Sequence, residues 1–443
     1  MSLFQEYFYY LIDVVLVEWF GWLPFLVALV YMYGWLGRDK RRNQIAAELE
    51  WIFLEVKIDN LNEKSPLAME QIFAAMHAIH QNFTWGEDRA GKTVLYMACE
   101  IVSIGGHVSF LFKIPKRYRN LFESALFAQY PKAEVVESED YLQNLPLHYD
   151  PETAEFDFWG TQWLKKKNNA YPIRTYIQTE SFEHSAQETF VDPLANVLEV
   201  MSNIQPYELV AYQLVIKPVD DKWKAHTKHL LDKLKGVPGG HDSGLFMKII
   251  LFIPDLIADI LVTHVLGVEK GEGGHTPAPR DEPPTLMLHK SDVEKLIINS
   301  IERALGKIGY DVRIRTMYLA PKDKFNKGIR IPEIVGALRN FDDVNLNGIK
   351  PDIGHTWTDN TFRISEKLEQ PYLQMNILTR KRHFLDNFRN RSSWRGSGQM
   401  TMNTEELASI FHFPQTQYVR VSQVGKVDTV KSAPPIDLPI GPQ

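Results

Sequence analysis

Two stretches of this chain hold residue types and spacings that suit chemistry. The first, GEDRAGKT at residues 86–93, matches the pattern G-x-x-x-x-G-K-[ST] letter by letter. Such a loop binds phosphate when it follows a buried strand and opens a helix, because its backbone N–H groups and the helix N-terminus then converge on the anion. The second, RKRHFLDNFRNRSSWR, sets Arg380, Lys381, Arg382, Arg389, Arg391 and Arg395 against Asp386, with Phe384, Phe388 and Trp394 interleaved. Cations in this pattern can follow a phosphate backbone while the rings stack on bases. The same mixture suits an acidic partner, or a solvated and partly packed segment.

Other candidates carry less. His77 and His80 lie three apart on one predicted helix, with no acidic ligand at metal spacing. Cys99 is the single cysteine, so no intrachain disulfide can form, and it falls inside a predicted strand as a small apolar residue. No G-x-S-x-G elbow is present, and GVEKGEGG at residues 267–274 has no strand before it and no helix after it, so it reads as a linker. No catalytic residue, metal or cofactor is assigned, and the chain is expected not to be an enzyme. A net charge of −6 argues against whole-surface attraction to nucleic acid and leaves room for local basic patches.

The elements around GEDRAGKT decide its meaning. The 443 residues suffice for two or three domains. WIFLEVKID reads as a strand, and SPLAMEQIFAAMHAIHQNF as a helix opened by Ser65 and Pro66. TVLYMACEIVSI and HVSFLFKIP read as strands joined at Gly105-Gly106; a helix over KRYRNLFESALFAQY and a short strand AEVVES follow. Lys92 and Thr93 therefore stand at the start of a strand, after a helix, with no helix dipole aimed at a ligand. The order β-α-β-β-α-β is the ferredoxin-like split βαβ.

A weaker copy follows, with a strand expected over PIRTYIQTE (172–180), a helix over DPLANVLEVMSNI, a strand over YELVAYQLVIKP and a polar helix over DDKWKAHTKHLLDKLKG. Residues 237–289 read as an insert. Its apolar segment 245–266 carries Lys248, Asp255, Asp259 and Pro254, which suits a helix lying at an interface or one packed on its own domain. SDVEKLIINSIERALGKIG and NTEELASIFHFP read as capped helices, YDVRIRTMYLAP as a strand and IPEIVGALRNF as a short helix. Residues 368–400 show little pattern. The expected fold is α+β, with an anchor at 1–43, modules at 44–150 and 151–375, and a basic segment, capped helix and Pro-rich tail at 376–443.

The anchor is predicted from residues 19–36, an uncharged run that at about 1.5 Å per residue nearly crosses a hydrocarbon core of roughly 30 Å. Trp19, Trp22 and Trp35 crowd its ends, and Arg38, Lys40, Arg41 and Arg42 follow it. This pattern predicts a single transmembrane helix in the cytoplasmic membrane, with the N-terminus outside, the bulk of the chain in the cytoplasm and the bilayer as a partner.

With these elements placed, NEKSPLAMEQIFAAMHAI, CEIVSIGGHVSFLFKIPKRYRNLFESALFAQYPKAEVVESEDY and MNTEELASIFHFP resemble the membrane-anchored N-terminal region of conjugation-type, type IV secretion-like ATPases of candidate-phylum bacteria. The likeness runs over roughly residues 10–440. In that family a stretch like APPIDLP leads into an FtsK/HerA-like motor. No motor follows here, so its nucleotide residues carry over to no position. The resemblance implies a scaffold that docks a separately encoded motor ATPase, in a homo- or hetero-oligomer, with the paired modules and the helix at 403–414 as docking surfaces. Direct DNA binding through residues 380–395 is the alternative.

Overall fold

The computed structural model describes residues 23–59, 62–84, 86–87, 90–143, 145–146, 149–178, 192–235, 290–359, 370–393, 395–396, 398–415 and 426–427. They fall into two compact units, one formed by Met1–Asp221 with Lys307–Gln443 and the other by Lys222–Gly306.

The larger unit is α+β. After helix α1 (Leu23–Glu48) come β1 (Trp51–Asp59), α2 (Leu67–Met76), β2 (Met97–Ile104), β3 (His107–Pro115), α3 (Arg119–Gln129) and β4 (Glu134–Glu137). Then follow β5 (Phe156–Lys165), α4 (Ala195–Ser202), β6 (Leu209–Pro218), β7 (Gly309–Pro321), α7 (Lys327–Leu338) and β8 (Ile349–Pro351). The smaller unit contributes α5 (Lys222–Lys235) and α6 (Asp292–Leu305); the chain ends with α8 (Gln370–Arg389), β9 (Met400–Asn403), α9 (Thr404–Ile410) and β10 (Lys426–Val427).

Strand order shows how the larger unit is built. The first half runs β4-β1-β3-β2 and the second, mirrored, β6-β7-β5-β8. Each is a split βαβ arrangement, and β2 pairs with β6 antiparallel from Met97↔Ile216 to Ile104↔Leu209, so the halves form one sheet. In the first half β2 and β3 are joined by Gly105-Gly106, at φ +59° and +90°, the left-handed region that a two-residue hairpin turn demands. In the second half the same connection, between β6 and β7, holds the whole smaller unit.

Side-chain alternation divides the sheet faces. One face packs Leu54, Ile101, Phe112, Tyr212 and Ile314 with buried residues of α2, α3, α4, α7 and α9. The other packs Val102, Leu111, Phe158, Ala211 and Met317 with Phe384, Leu385 and Phe388 of α8. Gly160 lies where a Cβ would overlap the Phe384 ring, so the glycine lets α8 sit directly on β5.

Several expectations need correction. Among the described residues no helix is long and apolar enough to cross a membrane. The apolar part of α1, from Leu23 to Leu36, covers only about 21 Å at ~1.5 Å per residue before the cations of its second half begin, against roughly 30 Å of hydrocarbon. The single-pass anchor and the localisation built on it are withdrawn. Arg38, Lys40, Arg41 and Arg42 belong to this helix, while Trp19, Trp22 and the side chain of Trp35 lie outside the described residues. The first strand of the second half is Phe156–Lys165, and residues 176–178 of the strand expected at 172–180 are helical. Helix α9, with its Asn403–Glu406 capping box, is buried throughout and is core, leaving no surface for docking. The apolar segment 245–266 and the Pro-rich tail lie outside the described residues.

Candidate functional site: a buried polar row beneath helix α8

The described residues of GEDRAGKT lack the setting of a phosphate loop. Gly86 and Glu87 lie in a short helical turn, residues 92–96 have no regular structure, and β2 follows. Lys92 Nζ bonds Glu87 Oε1 at 2.9 Å on the surface. Gly91 is at φ +92°, and a Cβ there would come within 2.8 Å of the Arg41 Cβ, so its glycine serves a tight contact with α1. His77 and His80 stack at 5.5 Å, and the His77 ring bonds the Val219 carbonyl. Among the described residues no group of three or more His, Cys, Asp or Glu is placed to hold a metal ion. Cys99 is buried in β2, and burial pushes its thiol pKa well up.

The unusual chemistry lies between the sheet and α8. Strand register places Glu100 opposite Gln213, Gln213 opposite Arg315, and Arg315 opposite Gln162. Four polar side chains from four strands thus form one row across the middle of the sheet, and none is more than 1% exposed. Buried polar groups need partners, and the end of α8 supplies them. Glu100 Oε1 accepts from Arg391 Nε at 2.8 Å and Gln213 Nε2 at 3.2 Å, and its Oε2 accepts from the Tyr141 hydroxyl at 2.7 Å. Gln213 Nε2 also donates to the Phe388 carbonyl, and Arg315 donates to Gln213 Oε1 and to the carbonyls of Asn387, Ser392 and Arg395.

Arg391 closes the helix. The Arg391 N–H bonds the Phe388 carbonyl and the Ser392 N–H the Asn387 carbonyl, the Schellman pattern that glycine usually completes. Arg391 adopts φ +48° instead. Its fully buried guanidinium grips Glu100 and Asp140, with Asp140 Oδ1 at 2.8 Å from Nη2, and lies 4.6 Å from the Phe53 ring centre. Burial opposes its charge, but Glu100, Tyr141 and Asp140 outweigh burial and raise its pKa.

The basic stretch is thereby distributed. Lys381 pairs with Asp157, Arg382 donates to the Tyr149 carbonyl, and Arg389 to the Leu145 carbonyl. With Arg391, these side chains fasten α8 to the body. Arg380 and Arg395 stand elsewhere: with Arg315, His355 and His383 they line a cleft of about 590 Å³ beside α8. Trp394 lies outside the described residues. Sequence inspection missed the row because each strand shows one polar residue among apolar ones; the alternation of Arg313 and Arg315 in VRIRT was the available signal for a polar face.

The fold and this site define a class: a fused pair of split βαβ halves braced across their seam by a buried ionic network. The chain belongs to the family described as Domain of unknown function (DUF8128), whose model matches residues 38–424. No curated protein matches the chain.

Proposed function

We propose that the protein is a non-catalytic scaffold of a type IV secretion-like or conjugation-like transfer apparatus, and that it holds a separately encoded motor ATPase of the FtsK/HerA kind. The resemblance of the α2, β2–β4 and α9 segments to the N-terminal region of such ATPases supports the partner. The observation that carries the scaffold role is the placing of a separate compact unit, Lys222–Gly306, inside the β6–β7 connection, where the first half has only a two-glycine turn. A braced body that carries a second unit on a hairpin suits presentation of a docking element. Nucleic acid bound along residues 380–395 is the weaker reading, because Lys381, Arg382, Arg389 and Arg391 are engaged within the body.

Deleting Lys222–Gly306 tests this. Pro218 pairs with Tyr310, so the deletion leaves residues 219–221 and 307–309 as a short hairpin loop. The body should keep its circular dichroism and cooperative melt, while the full chain, but not the deleted one, copurifies with a motor encoded beside its gene. A full chain that captures no such ATPase, or a deleted chain that captures it equally well, overturns the proposal.

A further inference from the structure

Among the described residues, one buried positive charge of the polar row has no carboxylate paired with it. The row's single carboxylate, Glu100, pairs with Arg391, and Asp140 pairs with Arg391 from the side. Arg315 is just as buried, yet its acceptors among the described residues are all neutral: Gln213 Oε1 at 3.2 Å and the carbonyls of Asn387, Ser392 and Arg395 at 3.4, 2.6 and 3.0 Å. These engage Nη1 and Nη2. Among the described residues no acceptor takes its Nε–H and no carboxylate pairs with it. A buried charge lacking a counter-ion is costly. Burial first, and the neighbouring Arg313 second, draw the Arg315 pKa down to about 9 against the opposing pull of Tyr96 and Glu100, which still leaves a cation at neutral pH.

Arg315 lines the cleft beside α8, and the cleft repeats its sign. Arg380 enters from α8 and among the described residues bonds only neutral groups, Asn376 Oδ1 at 3.2 Å and the Ile353 carbonyl at 3.3 Å. Arg395 enters from the loop after α8 and meets Asp386 Oδ2 at 3.2 Å. Asp386 is the one carboxylate among the described lining residues, against three guanidiniums and the imidazoles of His355 and His383. His355 Nδ1 lies 3.2 Å from Asp352 Oδ1 just outside the lining. The volume, about 590 Å³, falls within the roughly 300–1,000 Å³ typical of small-molecule sites. Planar guanidinium forks suit phosphate oxygens, and the Phe384 ring gives one wall an apolar surface.

We propose that this cleft binds a phosphorylated small molecule of about mononucleotide size, with Arg315 at its base and Arg380 and Arg395 at its rim. A polynucleotide fits less well. Its cations would have to form a track, and the other cations of the stretch are tied to the body.

The test uses the full chain at low salt, with calorimetric titration and thermal melting against inorganic phosphate, pyrophosphate and AMP. Pyrophosphate or AMP should bind and raise the melting temperature. Arg380→Ala with Arg395→Ala, both away from the core, should weaken binding by roughly tenfold or more. Asp386→Asn should tighten it several-fold, a gain that a folding defect cannot imitate. Lys92→Ala should leave it unchanged. The proposal is overturned by absence of binding to all three probes, by an unchanged affinity in the double variant, or by loss in Lys92→Ala, which would place the ligand at residues 86–93. Binding of a single-stranded oligonucleotide without binding of AMP would overturn it as well.

Discussion

Arg391 is the residue on which the bracing of α8 most depends, and its removal should be expensive in a way that can be dissected. Arg391 and Glu100 are both fully buried and 2.8 Å apart. In Arg391→Ala the Glu100 carboxylate keeps only the Tyr141 hydroxyl and the Gln213 amide, and stranding a buried charge in this way costs about 3–5 kcal/mol. Alanine also inherits the φ of +48°, so the backbone strain remains. Arg391→Gly loses the same ion pair but relaxes the backbone, and should recover roughly 1 kcal/mol of the loss. Arg391→Met combined with Glu100→Gln leaves no charge stranded at Glu100 and should be more stable than Arg391→Ala. The Arg391–Asp140 contact also has a pH signature. Burial raises the Asp140 pKa, but the hydrogen bond and charge of Arg391 outweigh it, and the net shift is downward from 3.8. A depressed carboxylate contributes stability that is complete above its unfolded value and is lost as pH falls through its folded value. The gap between wild type and Arg391→Ala should therefore narrow below about pH 4. Urea denaturation followed by circular dichroism at neutral and acid pH measures all of this. An Arg391→Ala variant within about 1 kcal/mol of wild type, or one more stable than Arg391→Gly, would refute the reasoning.

Two further outcomes are expected. Lys113 Nζ lies 5.1 Å from the Phe53 ring centre, and burial, with Arg391 second, draws its pKa from 10.5 to about 8. From about pH 8 to 10.5 the unfolded chain then binds the extra proton and stability rises with pH, so Lys113→Met should stabilise the protein at pH 7 and lose that rise; identical pH profiles would refute this. Gly160→Ala should press a methyl into the Phe384 ring and cost about 1–3 kcal/mol, with Phe384→Leu relieving part of it in the double variant; equal destabilisation by Gly160→Ala in both backgrounds would show that α8 does not rest on that position.

Local signals wrote much of the fold legibly. The Gly105-Gly106 turn, the Ser291–Glu294 and Asn403–Glu406 capping boxes, and the strands around Cys99 and Arg315 can all be read from neighbouring residues, and the structure places them there. What could not be read locally is whatever takes its partners from far along the chain. The strand Phe156–Lys165 breaks apolar alternation with Gly160 and Gln162, because Gly160 must admit Phe384 and Gln162 must face Arg315. The stretch 172–180 imitates a strand better than the strand itself. Helix α8 hides for the same reason: its charged positions break the helical apolar pattern, and they are fastened to Asp157, Tyr149 and Leu145 more than two hundred residues away.

The placing of the polar row follows from how the halves are joined. β2 and β6 are corresponding strands of two similar halves, and Glu100↔Gln213 lies near the middle of their shared seam. Two carboxylates facing each other across that buried seam would repel. The two halves differ in sequence, so the seam can be asymmetric. One side of the seam can carry a carboxylate that holds Arg391, while the other carries an amide whose Nε2 donates to Glu100 and whose Oε1 accepts from Arg315. The amide itself places no negative charge against Arg315. The asymmetry that lets the seam close around Glu100 therefore also leaves Arg315 as a buried cation at the base of a cleft, which is the condition for binding an anion there.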